Sequence, residues 1–106
     1  MIEATITLTT PPEKRKEVLQ TLIAILGPIR SEQGCLRCTC SVDVEAGNII
    51  FFREEWLTKE DLDTHLRSVY FGVLIGATKL LNAEPEIRFN SIASTAGAEA
   101  IQRARS

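Results

Sequence analysis

The chain has 106 residues, 44% of them hydrophobic, with twelve Lys and Arg against fourteen Asp and Glu, a formal net charge of −2. That length suits one domain, able to bury about two-thirds of its unfolded surface without staples. The charge balance gives no basic footprint for nucleic acid, and no apolar run approaches the roughly 20 residues that span a bilayer. The N-terminus, Met1-Ile2-Glu3-Ala4, has neither the basic segment nor the apolar run of a signal peptide, so a cytoplasmic protein is expected. The single histidine, His65, excludes any chemistry that needs two imidazoles in one chain.

Residues 2–9 alternate, with Ile2, Ala4, Ile6 and Leu8 on one parity and Glu3, Thr5, Thr7 and Thr9 on the other, the pattern of a strand with one apolar face. Thr10-Pro11-Pro12-Glu13 reads as a helix start, with Thr10 as N-cap and Glu13 three residues on. Val18, Leu22, Ile25, Leu26 and Ile29 recur at helical spacing, and Gly27-Pro28 is expected to kink or end that helix. A second strand is expected over 35–44, with Leu36, Cys38, Cys40, Val42 and Val44 on its inner parity. Cys35, Cys38 and Cys40 lie close together and are odd in number, which fits reduced thiols packed as small hydrophobes better than a disulfide framework. As a metal site, C-x-x-C-x-C lacks a nearby fourth ligand, and no metal is expected.

Glu45-Ala46-Gly47-Asn48 reads as a hairpin turn into a third strand over 48–56, which carries large apolar residues on both parities. Thr58, followed by Asp61, should cap the next helix. Leu62, Leu66, Val69, Phe71, Val73, Leu74, Leu80 and Leu81 supply its apolar surface, with Ser68 and Gly72 dividing it in two. Glu84-Pro85 ends this region, and Ile87, Phe89 and Ser91 alternate with Arg88, Asn90 and Ile92 as a fourth strand. Residues 1–92 make the expected domain, and the small, polar tail 93–106 either forms a short helix or frays.

The order βαββαβ is that of the ferredoxin-like split βαβ, an α+β fold with both helices on one face of an antiparallel sheet. Nothing in the chain covers the other face, which takes Ile49, Phe51, Arg53 and Glu55 from the third strand. Packing that face against a second copy gives an isologous homodimer; a solvated face with two tolerated apolar residues is the alternative.

Ile50, Phe52, Glu54 and Trp56 should face the helices. A carboxylate among such neighbours is expensive to ionise unless paired. His65, one turn after Leu62, falls near the apolar stripe, where an inward Glu54 could orient it as a general base. Trp56, Tyr70, Phe71 and Phe52 could line the same space. Equally, His65 and Trp56 could be ordinary core residues, and Glu54 could pair with Arg88 across the sheet. The six glycines are scattered without a phosphate-loop spacing.

Gly34-Cys35-Leu36, Arg53-Glu54-Glu55-Trp56 and His65-Leu66-Arg67-Ser68-Val69-Tyr70-Phe71 together resemble the antibiotic biosynthesis monooxygenase family, whose members read G-C-L, Y-E-x-W and H-L-x-S-x-x-F at these places. The likeness covers roughly 2–92; Arg53 stands where the family commonly has Tyr, and Tyr70 where many members have a second His. It implies a dimeric α/β barrel of two face-to-face sheets, with one pocket per subunit between sheet and helices. It also implies oxygenation of a small aromatic phenol or quinol by dioxygen without metal, flavin or haem. His65 would be the base, Glu54 its orienter, and Trp56, Tyr70, Phe71 and Phe52 would contact the substrate. Haem-degrading relatives use an Asn in the first strand and a His later in the second helix, matched here by Ala4 and Ile75, which cannot serve. Aromatic polyketide oxygenases place an Asn near Phe52. A non-oxidative isomerase of a small keto compound and a non-catalytic small-molecule-binding dimer are the alternatives.

Overall fold

The computed structural model describes all of residues 1–106. Alternation produces the first strand, β1 (Ile2–Thr9), whose Ala4, Ile6 and Leu8 are buried. After Pro11 a single 3₁₀ turn (Pro12–Lys14) leads into α1 (Arg15–Arg30), which buries Val18, Leu22, Ile25 and Ile29. Thr10 does not cap it. Its hydroxyl donates to Asn48 O at 3.0 Å from a buried position, and Pro12 at the first helical position has no N–H to satisfy. Nor does Pro28 end α1. It falls in the last turn, where the missing N–H frees only the carbonyl of Ala24, a solvent-exposed residue, and the helix continues to Arg30.

The second and third strands, β2 (Cys35–Val42) and β3 (Ile49–Trp56), form an antiparallel pair. A register shift between Cys35 and Arg37 upsets the expected parity at the start of β2: Leu36 is 52% exposed, while Cys35 packs against the core beside buried Cys38. Val44 lies beyond the strand and is exposed. The helical region divides into α2 (Lys59–Leu66) and α3 (Val69–Thr78), with the break at Arg67-Ser68 alone and Gly72 inside α3. Thr58 Oγ1 accepts the Asp61 N–H at 3.1 Å and Ser68 Oγ accepts the Phe71 N–H at 3.2 Å, so each piece carries its own N-cap. Phe71, Leu74 and Ala77 turn inward, whereas Val69 and Val73 face out.

The fourth strand, β4 (Glu86–Ser91), completes a sheet of order β2-β3-β1-β4, all antiparallel, with the helices on one face. This is the ferredoxin-like α+β fold expected. The two sides of β3 are unequal as the alternation requires: Ile50, Phe52, Glu54 and Trp56 have no exposed surface, while Ile49, Phe51, Arg53 and Glu55 lie on the open face. The tail forms a short helix, α4 (Glu99–Arg105), with no buried residue. The radius of gyration, 15.6 Å, exceeds the about 13 Å of a compact chain of this length, because that arm projects from the body. No helix is long and apolar enough to cross a membrane.

Candidate functional site

β3 ends with two large inward side chains, Glu54 and Trp56, two residues apart and therefore on the same face. On the sheet, Glu54 is flanked by Ala4 of β1 and Cys38 of β2, small side chains that leave room above the carboxylate. The last turn of α2 places His65 in that room, and Phe71 approaches from the first turn of α3. The remaining member comes from the turn between α1 and β2. Gly34 has φ 80, and a Cβ there would collide with Asp61 of α2, so only glycine lets the turn lie against that helix. The same turn carries Glu32 inward.

The result is a chain of three ionisable groups. His65 Nε2 lies 2.8 Å from Glu54 Oε2, and its Nδ1 lies 2.9 Å from Glu32 Oε2. Glu54 uses its other oxygen to accept from Trp56 Nε1 at 3.1 Å. The imidazole stacks on the Trp56 indole, centroids 4.5 Å apart and planes 26° apart, and receives the Phe71 ring at 5.4 Å and 76°. The side chains of His65 and Glu54 are fully buried; that of Glu32 is 20% exposed. No buried side-chain nitrogen or oxygen lacks a partner.

Ionised carboxylates only accept hydrogen bonds, so with both ionised each ring nitrogen of His65 must donate and the ring is an imidazolium. Burial by itself would lower the His65 pKa, but the hydrogen bonds and charges of Glu54, and then of Glu32, outweigh it and raise the value above its ordinary level. The carboxylates approach opposite ring nitrogens and do not converge on a point where a cation could sit. All three cysteines are free thiols; burial and then the Glu54 charge push Cys38 up to about 12, which leaves it unreactive.

Of the residues singled out in the sequence, the fold brings together Glu54, Trp56, His65 and Phe71. It does not bring in Tyr70, 39% exposed on α3, and Phe52 is enclosed in the core one strand pair below Glu54. Glu54 does not pair with Arg88, which bonds Glu86 on the surface. Glu32 was not singled out, because a Glu in a turn carries no periodic signal and only the path of the chain turns it inward. Around the network, His65 lines one opening, a recess of about 350 Å³ shared with Glu32, Gln33, Glu60, Asp61 and Thr64. A second cavity of about 200 Å³ lies among Ile2, Leu62, Leu66 and Phe89, with Lys59, Asp63 and Ser91 also lining it.

The antibiotic biosynthesis monooxygenase family model matches residues 1–75. An uncharacterized protein of Synechocystis sp. is 32% identical over 85 residues, covering 79% of this chain; the chain spans 58% of that relative's length. A Deinococcus radiodurans structure, provisionally named an antibiotic biosynthesis monooxygenase, superposes with a TM-score of 0.85 at 26% identity, covering 92% of this chain and 97% of that one. A conserved protein from Methanosarcina mazei Go1 gives 0.78 at 26% identity, over 84% and 89%. The family model spans every residue that builds the buried network, and the chain belongs to the antibiotic biosynthesis monooxygenase family.

Proposed function

We propose that the protein is a monooxygenase that oxidises a small aromatic phenol or quinol with dioxygen, without a metal, flavin or haem. The observation that carries this reading is the fully buried imidazole held through both nitrogens by carboxylates, beside a recess it lines. Such a network is costly to desolvate, and a buried imidazole paired with carboxylates beside an opening is a common mark of a functional site. Once Nδ1 has given up its proton, His65 accepts the proton of a phenolic hydroxyl, and Glu54, fixed by Trp56, keeps the ring oriented. Trp56 stacks on the imidazole and Phe71 meets it edge-on, and the two hold it in place. Tyr70, on the exposed side of α3, and Phe52, enclosed in the core, lie outside the site.

The resulting anion is electron-rich enough to pass one electron to dioxygen. Recombination at a ring carbon forms a hydroperoxide, which loses water to give the quinone. The substrate loses one C–H and one O–H, one oxygen atom enters the product and the other leaves as water. No external reductant is needed.

The working unit is proposed to be a homodimer joined through the open sheet face, supported by the half-buried Ile49 and Phe51 on that face and by the projecting α4. The free thiols support a reducing, cytoplasmic setting. Oxygen uptake with a panel of hydroquinones and dihydroxynaphthalenes is the test. His65→Ala, checked for folding by circular dichroism, should lower the rate by about 10²- to 10⁴-fold, the usual worth of a general base. Uptake that survives the substitution removes His65 from the mechanism. Turnover of a keto substrate that proceeds equally without oxygen would favour enolisation by the same pair.

A further inference from the structure

Glu32 is the one member of the ionisable network that reaches the surface, where it borders the recess together with His65. Its backbone is pinned: the Glu32 N–H donates to Ile29 O at 3.0 Å, its carbonyl accepts from Cys35 N at 3.2 Å, and Gly34 O accepts from Leu57 N at 2.8 Å. The side chain is therefore the movable part. Glu54 has no such freedom, since both its oxygens are bonded and it is enclosed. If the Glu32 carboxylate swings out, Nδ1 opens towards the recess while the ring remains held by Glu54 and stacked on Trp56.

We propose that Glu32 is a gate: an uncharged hydroxylated ligand, of the hydroquinone class, displaces its carboxylate from His65 Nδ1 and places its own hydroxyl there. This rests on the reading of His65 as the base, and it resolves how an imidazolium becomes one. As Glu32 departs, the ring loses one of the two carboxylates that hold its second proton, and Nδ1 gives that proton to solvent water in the recess, leaving a neutral ring with Nε2–H on Glu54. The ligand hydroxyl then gives its proton to Nδ1, restoring the imidazolium and forming the ligand anion. Protons and charge balance at each step. The recess also sets the ligand class. Glu32, Glu60 and Asp61 line it with no Lys or Arg, so a ligand bearing a carboxylate or phosphate is repelled and a neutral hydroxyl finds acceptors.

The single histidine makes the test clean, because nitrogen-15 NMR of the imidazole reports one ring. Anaerobic titration with hydroquinone should move the Nδ1 signal, and 4-hydroxybenzoate should bind about tenfold more weakly or worse, the effect of one modest like-charge repulsion. Glu32→Ala should tighten hydroquinone binding severalfold, because the ligand no longer competes with a carboxylate. Glu32→Gln, which keeps shape without charge, should shift binding in the same direction by less. A purely structural Glu32 would leave binding unchanged or weaken it in both variants, and that result overturns the gate. So does an Nδ1 signal that ignores hydroquinone or responds equally to 4-hydroxybenzoate. Oxygen uptake by the same protein preparations in air separates the two readings: an Nδ1 response without uptake keeps the gate and removes the oxygenase, and uptake without a response does the reverse.

Discussion

His65 couples folding to pH in a definite direction. Its pKa is raised in the folded protein, so the protonated ring is favoured over its unfolded state of about 6.5. That stabilisation is fully present below the unfolded value and is lost as pH rises through the folded one. The melting temperature should therefore fall as pH rises above about 6.5 and through the folded value, and His65→Gln, which cannot titrate, should flatten that fall. Thermal melts of the two proteins across this range decide it; parallel profiles would contradict the network as described. Glu54 is the more costly residue to lose. Glu54→Ala leaves an imidazole and the Trp56 N–H buried without their acceptor and should cost about 3–5 kcal/mol in urea unfolding. Glu54→Gln, which can still accept from one of them, should cost less.

The elements owe their boundaries to local chemistry that the sequence states openly in some places and conceals in others. The break between α2 and α3 is set by the Ser68 cap, and it positions His65 at the end of one helix and Phe71 in the first turn of the next. Thr58→Ala and Ser68→Ala should each lower stability by about 1 kcal/mol. The second should also loosen the Phe71 edge against the imidazole, visible as broadening of the His65 ring signals. The register shift at the start of β2 was not legible, because strict alternation assigns Leu36 to the core and a one-residue irregularity reverses it. Thr10 misled for a related reason: it looks like a cap, yet the two prolines after it begin a 3₁₀ turn and its hydroxyl is drawn to Asn48 across the sheet end.

At the level of the whole molecule, one sheet face and one arm are left without a partner inside the chain. The open face combines Ile49 and Phe51 with Arg53, whose guanidinium lies 4.7 Å over the Phe51 ring. A second copy packed there would bury the same ring and cation. Phe51→Asp should convert a dimer to a monomer in sedimentation equilibrium without changing the far-ultraviolet spectrum. A wild-type protein that sediments as a monomer at micromolar concentration would remove the dimer from the proposal.

The sequence by itself determined the βαββαβ order, the inward placement of Glu54 and Trp56, the helix break at Ser68 and the unpartnered sheet face. Each of these follows from a period or a cap, and periods and caps are properties of neighbouring residues. It also determined that any imidazole chemistry rests on His65. Only the tertiary structure decided that Glu32 completes the network, that Tyr70 stays outside it, and that His65 bonds two carboxylates rather than one. Glu32 and His65 are 33 residues apart, and Glu54 and His65 are 11 apart on different elements. No local pattern encodes such a meeting: it depends on how a glycine turn lies against a helix and on which small side chains leave space above the sheet.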